Sequence, residues 1–327
     1  TVTPEPVVAN QTVTICSDAP VSENFNSSSS VGAATYNVIN LELNGLVVNS
    51  GGVAIADDLL ASDLFNDSFT NLTNAPVDVV YTVVPVSALG CEGESFTVTA
   101  TVNPEPIVEN QVLTVCSDEL LALTLGNDID GPLATTYNIT SIVRNGLVAS
   151  AGSPVVANGV LASVLEDDTW TNMTPLPVDV VYTIVPVSGA GCLGDSFTVT
   201  ITVNPEPVVA NQTLTVCSDA LLDLTLGADV NTPVVTSYEI VSISSGGLTS
   251  SSGNPVVGVN LPSSDLLDDA WTNLGSVSVN VVYTVIATGD NGCKSNPFTV
   301  TITVTPEPVV ANQTVTICSD APVSENF

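Results

Sequence analysis

Three kinds of side chain in this sequence could do chemistry: adjacent acids, acid-rich loops, and regularly placed cysteines. The adjacent acids are Asp167-Asp168 and Asp268-Asp269. Two carboxylates about 5–9.5 Å apart would suit glycoside hydrolysis, one as the acid and one as the base or nucleophile. A third copy of the same segment carries Asn66-Asp67, so one acid of the pair is dispensable. Aromatic residues, which would stack sugars, make up only 5% of the chain. Neighbouring acids on a turn are ordinarily a solvated face or a cap, and the chain reads as no enzyme, with no catalytic residue.

Calcium is the stronger chemical reading. It takes hard oxygen ligands and favours Asp-x-Asp loops. Asn127-Asp128-Ile129-Asp130-Gly131 has that spacing, with a counterpart at Asp229-Val230-Asn231. Glu105 and Glu206, like Glu5 and Glu307, each lie inside a Pro-Glu-Pro. Asp128, Asp130, Asp229, Glu105 and Glu206 are therefore the candidate calcium ligands. Asp18, Asp118 and Asp219 would join them if the fold brought them close. The competing reading is that these acids occupy turns, where Asp bonds its own backbone. Divalent ions would then screen the net charge of −32 only diffusely. No other cofactor is implied.

The composition closes most other chemistry. Against 34 acidic residues stand two basic ones, Arg144 and Lys294, and no histidine. Neither nucleic acid nor an anionic membrane can be held through two cations. Histidine acid–base catalysis is absent, and a Schiff base would have one lysine to draw on. Apolar residues still reach 44%, enough to build real cores.

The elements that must position these residues recur. Pro-Glu-Pro opens at Pro4, Pro104, Pro205 and Pro306, and a CSD triplet follows at Cys16, Cys116, Cys217 and Cys318. Tyr36, Tyr137 and Tyr238, the aromatics Phe69, Trp170 and Trp271, and Tyr81, Tyr182 and Tyr283 keep the same register. The expected domains are 1–103, 104–204 and 205–305, with 306–327 starting a fourth. Residues 1–25 and 303–327 are letter for letter the same, whereas the intervening copies differ, which implies a three-domain super-repeat. The chain then reads as a window on a longer array, or as an array whose last segment donates strands to a neighbouring chain.

Each repeat reads as β. SFTVTATV (95–102), SFTVTITV (196–203) and PFTVTITV (297–304) alternate strictly, as a strand with one buried face does. VVYTVVPV and VVYTIVPV are almost continuously apolar, as in a central strand. Asn44-Gly45, Asn145-Gly146 and Gly246-Gly247 suit a two-residue type I′ hairpin. The run from Asp265 to Trp271 and its equivalents could form one helical turn that drops the aromatic into the core. Turn signals every 8–15 residues favour an all-β, two-sheet antiparallel sandwich. Pro-Glu-Pro between domains is a stiff joint, not a flexible tether. An extended rod follows, each sandwich adding very roughly 40 Å.

The cysteines occupy two positions per repeat, with no Cys-x-x-Cys and no histidine to make a zinc site. They read as disulfides involving Cys16, Cys91, Cys116, Cys192, Cys217 and Cys293, with Cys318 paired outside this stretch. Three registers are open. The intradomain one, Cys16–Cys91, Cys116–Cys192 and Cys217–Cys293, is preferred because a loop of about 75 residues closed within a domain gains on the order of 4 kcal/mol. The interdomain one, for example Cys16–Cys192, has geometry in its favour: the first turn lies at one pole of a sandwich and the turn before the last strand at the other. The local one, Cys91–Cys116, would leave Cys16 unpaired.

PxPxVxNQTxTxCS, TYN, WTN or FTN with VVYTVVPVS, GC and FTVTxTVNPEP together resemble the PKD-like, Ig-like repeats of giant Bacteroidota surface adhesins, those exported by type IX secretion and including SprB-type gliding adhesins. The resemblance covers the chain three times over. It implies a non-catalytic stalk or filament segment at the bacterial cell surface, serving adhesion or gliding. Its partners would be continuing repeats of the same chain, neighbouring filament chains, and an extracellular surface or glycan. The alternative is that the repeats themselves bind a glycan or surface ligand, with or without calcium. No leader or membrane-inserting run is read in the sequence.

Overall fold

The computed structural model describes residues 4–25, 32–52, 54–126, 132–229 and 232–308, with 314, 316, 319, 320 and 322. Among them no helix is long and apolar enough to cross a membrane. Repeat 1 runs β1 (Gln11–Cys16), β2 (Thr35–Glu42), β3 (Val47–Ser50), β4 (Ser68–Thr70), β5 (Val77–Val86) and β6 (Phe96–Asn103). Repeat 2 runs β7 (Gln111–Cys116), β8 (Ala134–Val143), β9 (Val148–Ala151), β10 (Ala157–Val160), β11 (Thr169–Thr171), β12 (Val178–Ser188) and β13 (Phe197–Asn204). Repeat 3 runs β14 (Gln212–Cys217), β15 (Val235–Ser244), β16 (Thr249–Ser252), β17 (Gly258–Leu261), β18 (Ala270–Thr272), β19 (Val279–Gly289) and β20 (Phe298–Thr305).

Successive side chains of a strand point to opposite faces, so strict alternation commits one face to the core. In β6 the buried face is Phe96, Val98, Ala100 and Val102, and the threonines between them stay half-exposed. The apolar run of β5 does lie centrally, between β6 and β2 in the order β1-β6-β5-β2. Its Val79, Tyr81 and Val83 face inward. A second sheet, β3-β4, covers that face and brings Phe69 to within 6.5 Å of Tyr81, edge to face. Repeats 2 and 3 repeat the plan with one added edge strand each, β10 beside β8 and β17 beside β15.

Three local expectations are corrected. The Asn-Gly and Gly-Gly pairs do take positive φ (Asn44 49°, Gly45 94°), but they do not close a hairpin. β2 and β3 belong to different sheets, so this turn carries the chain from one sheet to the other. The run ending at Trp271 is not a helical turn. It is a series of i to i+3 bonds, Asp265 N–H to Pro262 O at 3.2 Å and Leu267 N–H to Ser264 O at 3.1 Å, which still delivers Trp271 to the core. Finally, the sandwich is not wholly antiparallel: β1 lies parallel to β6, and β14 to β20. First and last strands of a repeat share no hairpin, so nothing forces them antiparallel. Running together, they enter a repeat at one pole and leave at the other.

The chain divides into two compact units, one of residues 1–172 with 177–203 and one of residues 173–176 with 204–327. The first unit holds repeat 1 and almost all of repeat 2, and with them one complete joint between repeats.

Candidate functional site

The joint in the first unit is built by four short segments. The first is the CSD triplet at the end of β1. Cys16 pairs in register with Asn103, the last residue of β6, and Ser17 N–H donates to Asn103 O at 2.8 Å. Ser17 is buried, and its Oγ accepts from Asn71 N–H at 3.0 Å. The Asn71 amide then donates to Val102 O at 2.8 Å. The same two bonds recur at Asn172 (Ser117 Oγ, 2.9 Å; Val203 O, 2.8 Å) and at Asn273 (Ser218 Oγ, 2.9 Å; Val304 O, 2.9 Å). The serine of CSD and the asparagine of FTN or WTN are therefore one device: they tie the turn after β4, and its equivalents, to the first and last strands of the repeat. Their fixed spacing was legible, but their partnership was not.

The third residue of the triplet is spent locally. Asp18, Asp118 and Asp219 have φ of 59°, 60° and 64°, and their carboxylates accept from Thr70, Thr171 and Thr272 at 2.5, 2.6 and 2.5 Å. Asp is among the few side chains that tolerate this backbone region. Burial pushes Asp118 upward, but hydrogen bonds from Ser150, Thr171 and Ser117 outweigh it, and the carboxyl ends below its ordinary value.

The remaining segments are Pro104-Glu105-Pro106 and the GC turn of repeat 2. Gly191 before the cysteine has φ 84°, closing the turn that returns Ser188 N–H to Cys192 O at 2.9 Å. Gly194 sits hard against the joint, since a Cβ there would lie 1.9 Å from Pro106 O. This turn is thereby held at the pole of repeat 2 that faces repeat 1, while Cys16 lies at the facing pole of repeat 1. The two cysteines meet, Cα to Cα 5.4 Å, in a disulfide spanning 176 residues of sequence.

The preferred intradomain register is thus overturned. Cys16 stands opposite Asn103, whereas Cys91 precedes Phe96 at the other end of β6. Seven strand steps separate those ends by roughly 23 Å, against a Cα limit of about 7 Å for a disulfide. Cys116 and Cys293 are also disulfide-bonded. Cys91 and Cys217 are free thiols, and Cys318 lies outside the described residues.

At the joint lies a cleft of about 270 Å³ whose lining includes Ser17, Asp18, Asn71, Glu105, Pro106 and Asp195. Burial, with the charges of Asp18 and Asp195, pushes Glu105 up to about 7. Glu206 is also half-buried, whereas Glu5 and Glu307 are exposed. Among the described residues no group of three or more acids and cysteines is arranged to hold a metal ion. Asp128 and Asp130 lie outside the described residues, and Asp229 N–H donates to Val208 O at 3.0 Å.

The acid pairs resolve differently from a solvated face. Asp167 and Asp268 are exposed, but Asp168 and Asp269 are buried at 1% and 2% exposure. Tyr182 OH donates to Asp168 at 3.0 Å and accepts from Trp170 Nε1 at 3.1 Å. Tyr283, Asp269 and Trp271 repeat this at 2.9 and 3.0 Å, and Tyr81 donates to Asp67 at 2.8 Å. One carboxylate of each pair is thus a core hydrogen-bond acceptor, which the constant offset of 14 residues between Asp and Tyr signals only in hindsight. Burial, which dominates, pushes Asp269 up to about 6. Both basic residues are engaged: Arg144 lies over the Trp170 ring at 5.5 Å, and Lys294 pairs with Glu239 at 2.8 Å.

These shifts set a pH dependence. Unfolded, Glu105 loses its proton near 4.5 and Asp269 near 3.8; folded, they hold it until about 7 and 6. The folded chain binds more protons between those values, so stability falls as pH rises through the window. Asp118 and Asp219, lowered in the fold, act only below it. The Tm should therefore drop between pH 5 and pH 7.5, and Glu105→Gln should flatten the upper part of that drop. A Tm rising over this range in a circular-dichroism melt would contradict it.

A family model described as PKD-like domain matches residues 13–106, 113–207 and 214–308. No curated protein matches significantly. Among solved structures, the chain is similar to Drosophila N-cadherin EC1-4 at 12% identity and TM-score 0.26, over 90% of this chain and 73% of that one. It is also similar to the chicken CNTN1 FN1-FN3 domains, at 11% identity and TM-score 0.27, over 85% and 91%. The sialic acid binding region of a Streptococcus sanguinis SK1 adhesin matches at 12% identity and TM-score 0.23, over 94% and 79%.

Proposed function

We propose that this chain, which belongs to the PKD-like domain family in each of its three repeats, is a non-catalytic stalk segment of a large bacterial cell-surface adhesin. It would extend adhesive parts away from the cell, in the manner of the type IX-exported gliding adhesins its motifs resemble. The observation that carries this reading is the Cys16–Cys192 disulfide, which joins one repeat covalently to the next beside the Pro-Glu-Pro joint. A catalytic or ligand-binding domain gains little from such a lock, whereas a load-bearing stalk needs one at each joint. The lock also requires an oxidising route of folding, as for secreted and surface proteins.

The surface supports the same use. Trypsin-type proteases have two target residues, Arg144 and Lys294, and each is held by an aromatic ring or a carboxylate. Small-angle scattering tests the proposal. Three end-to-end sandwiches of very roughly 40 Å should give a maximum dimension near 120 Å. A globular profile, near 60 Å across, would defeat the stalk.

A further inference from the structure

We infer that Cys217 and Cys91 are the two halves of one more interdomain disulfide, formed between successive copies of this three-repeat unit. The inference goes beyond the stalk reading and does not depend on it, because it concerns only how the array is joined. It starts from the bond that is present. Cys16, at the end of a first strand, is joined to Cys192, in the GC turn of the following repeat. Among the described residues the free thiols are Cys217, a strand-end cysteine, and Cys91, a GC-turn cysteine. They are complementary in kind.

Both half-sites are already built. At Cys217 the backbone repeats that at Cys16: Ser218 N–H donates to Thr305 O at 2.8 Å where Ser17 donates to Asn103 O at 2.8 Å. The next turn is alike too, Ala220 N–H to Cys217 O and Ala19 N–H to Cys16 O both being 3.2 Å. At Cys91 the turn repeats that at Cys192: Ser87 N–H donates to Cys91 O, and Ser188 N–H to Cys192 O, each at 2.9 Å. Cys91 N–H also takes Ser87 Oγ at 3.0 Å, as Cys192 N–H takes Ser188 Oγ at 3.1 Å.

Exposure differs in the sense expected of half-sites awaiting cover. Bonded Cys192 is fully buried and free Cys91 is half-buried; bonded Cys16 is half-buried and free Cys217 is exposed. The occupant follows from the duplicated segment. Residues 303–327 repeat residues 1–25, so the domain begun after repeat 3 is of the repeat-1 kind, whose GC cysteine is Cys91. A contact between unlike faces of identical units can repeat from each copy to the next.

The bond forms by thiol–disulfide exchange with an oxidised dithiol oxidoreductase, or with glutathione disulfide in vitro. One thiolate attacks the oxidant's disulfide, and the second thiolate then displaces the mixed disulfide. The two protein thiols lose two electrons and two protons, and the oxidant leaves as two thiols.

The test uses a chain in which residues 1–302 precede the full 327-residue sequence. Cys91→Ser in the first copy, with Cys217→Ser and Cys318→Ser in the second, leave one of each half-site. After oxidation with glutathione disulfide, free thiols are alkylated and the chain is cut with a Glu-specific protease, since trypsin has too few sites. The expected result is a peptide holding Cys217 linked to the second copy's Cys91, beside intact Cys16–Cys192 links. Alkylation of both residues, or linkage of either to another cysteine, overturns the inference. In the 327-residue chain itself, native iodoacetamide should label Cys91 and Cys217 but not Cys16 or Cys192. Protection of Cys91 or Cys217 there would overturn it independently.

Discussion

Replacing Cys16 and Cys192 together by Ser should lower the stability of the first two repeats by about 5 kcal/mol, the chain-entropy value for a link across 176 residues. For some 200 residues, that corresponds to a fall in Tm of roughly 10–20 °C. The oxidised parent should lose repeats 1 and 2 in a single calorimetric transition, and the double variant should resolve them into two. The variant is a cleaner probe than a reductant, which would also cut the bonds at Cys116 and Cys293. A shift under 2 °C would mean that the joint is held by its noncovalent contacts alone. Those contacts are real: the Gly194 backbone lies against Pro106 with no room for a Cβ.

Tyr182→Phe should cost about 3 kcal/mol, although it removes a single oxygen. That hydroxyl donates to Asp168 and accepts from Trp170, and Asp168 is buried at 1% exposure. Without it a carboxylate and an indole N–H both lose a partner in the core, and an unsatisfied buried group costs about 1–3 kcal/mol, more if charged. Tyr81→Phe should cost less, because Phe69 stands where Trp170 does and offers no N–H to orphan. Acid should shrink both penalties. Burial, the dominant influence, already raises Asp168 above its ordinary value, so its neutral form is the cheaper one to leave unpartnered. Denaturant melts of both variants at pH 7 and pH 4.5 check this, and an equal or larger loss at pH 4.5 would refute it.

How much of this was legible depends on the range of the interaction. The faces of β6, β13 and β20 follow from alternation, because a strand's period of 2 leaves no second choice once one face is apolar. Asn44-Gly45 and its equivalents declare positive φ by residue type, since few other residues accept it. The repeat itself, and hence three similar cores, is plain from the spacing of Cys, Tyr and Pro. The excess of 34 acidic over two basic residues, and with it the charge that any partner meets, is likewise read from composition alone.

What the letters leave open is which cysteine register wins. The expected poles of a sandwich favour Cys16–Cys192 and loop closure favours Cys16–Cys91, and the pairing of β1 alongside β6, with the bond itself, decides for the former. The turn after β2 reads as a hairpin because its two residues determine a reversal, but not which sheet receives the strand that follows. Asp167 and Asp168 are adjacent and identical in type. The geometry of the i to i+3 turns, together with a tyrosine 14 residues on, decides that one faces water and the other the core. Local propensity is written residue by residue. Proximity between residues 14 or 176 positions apart is a property of the assembled sheets, and only the tertiary structure decides it.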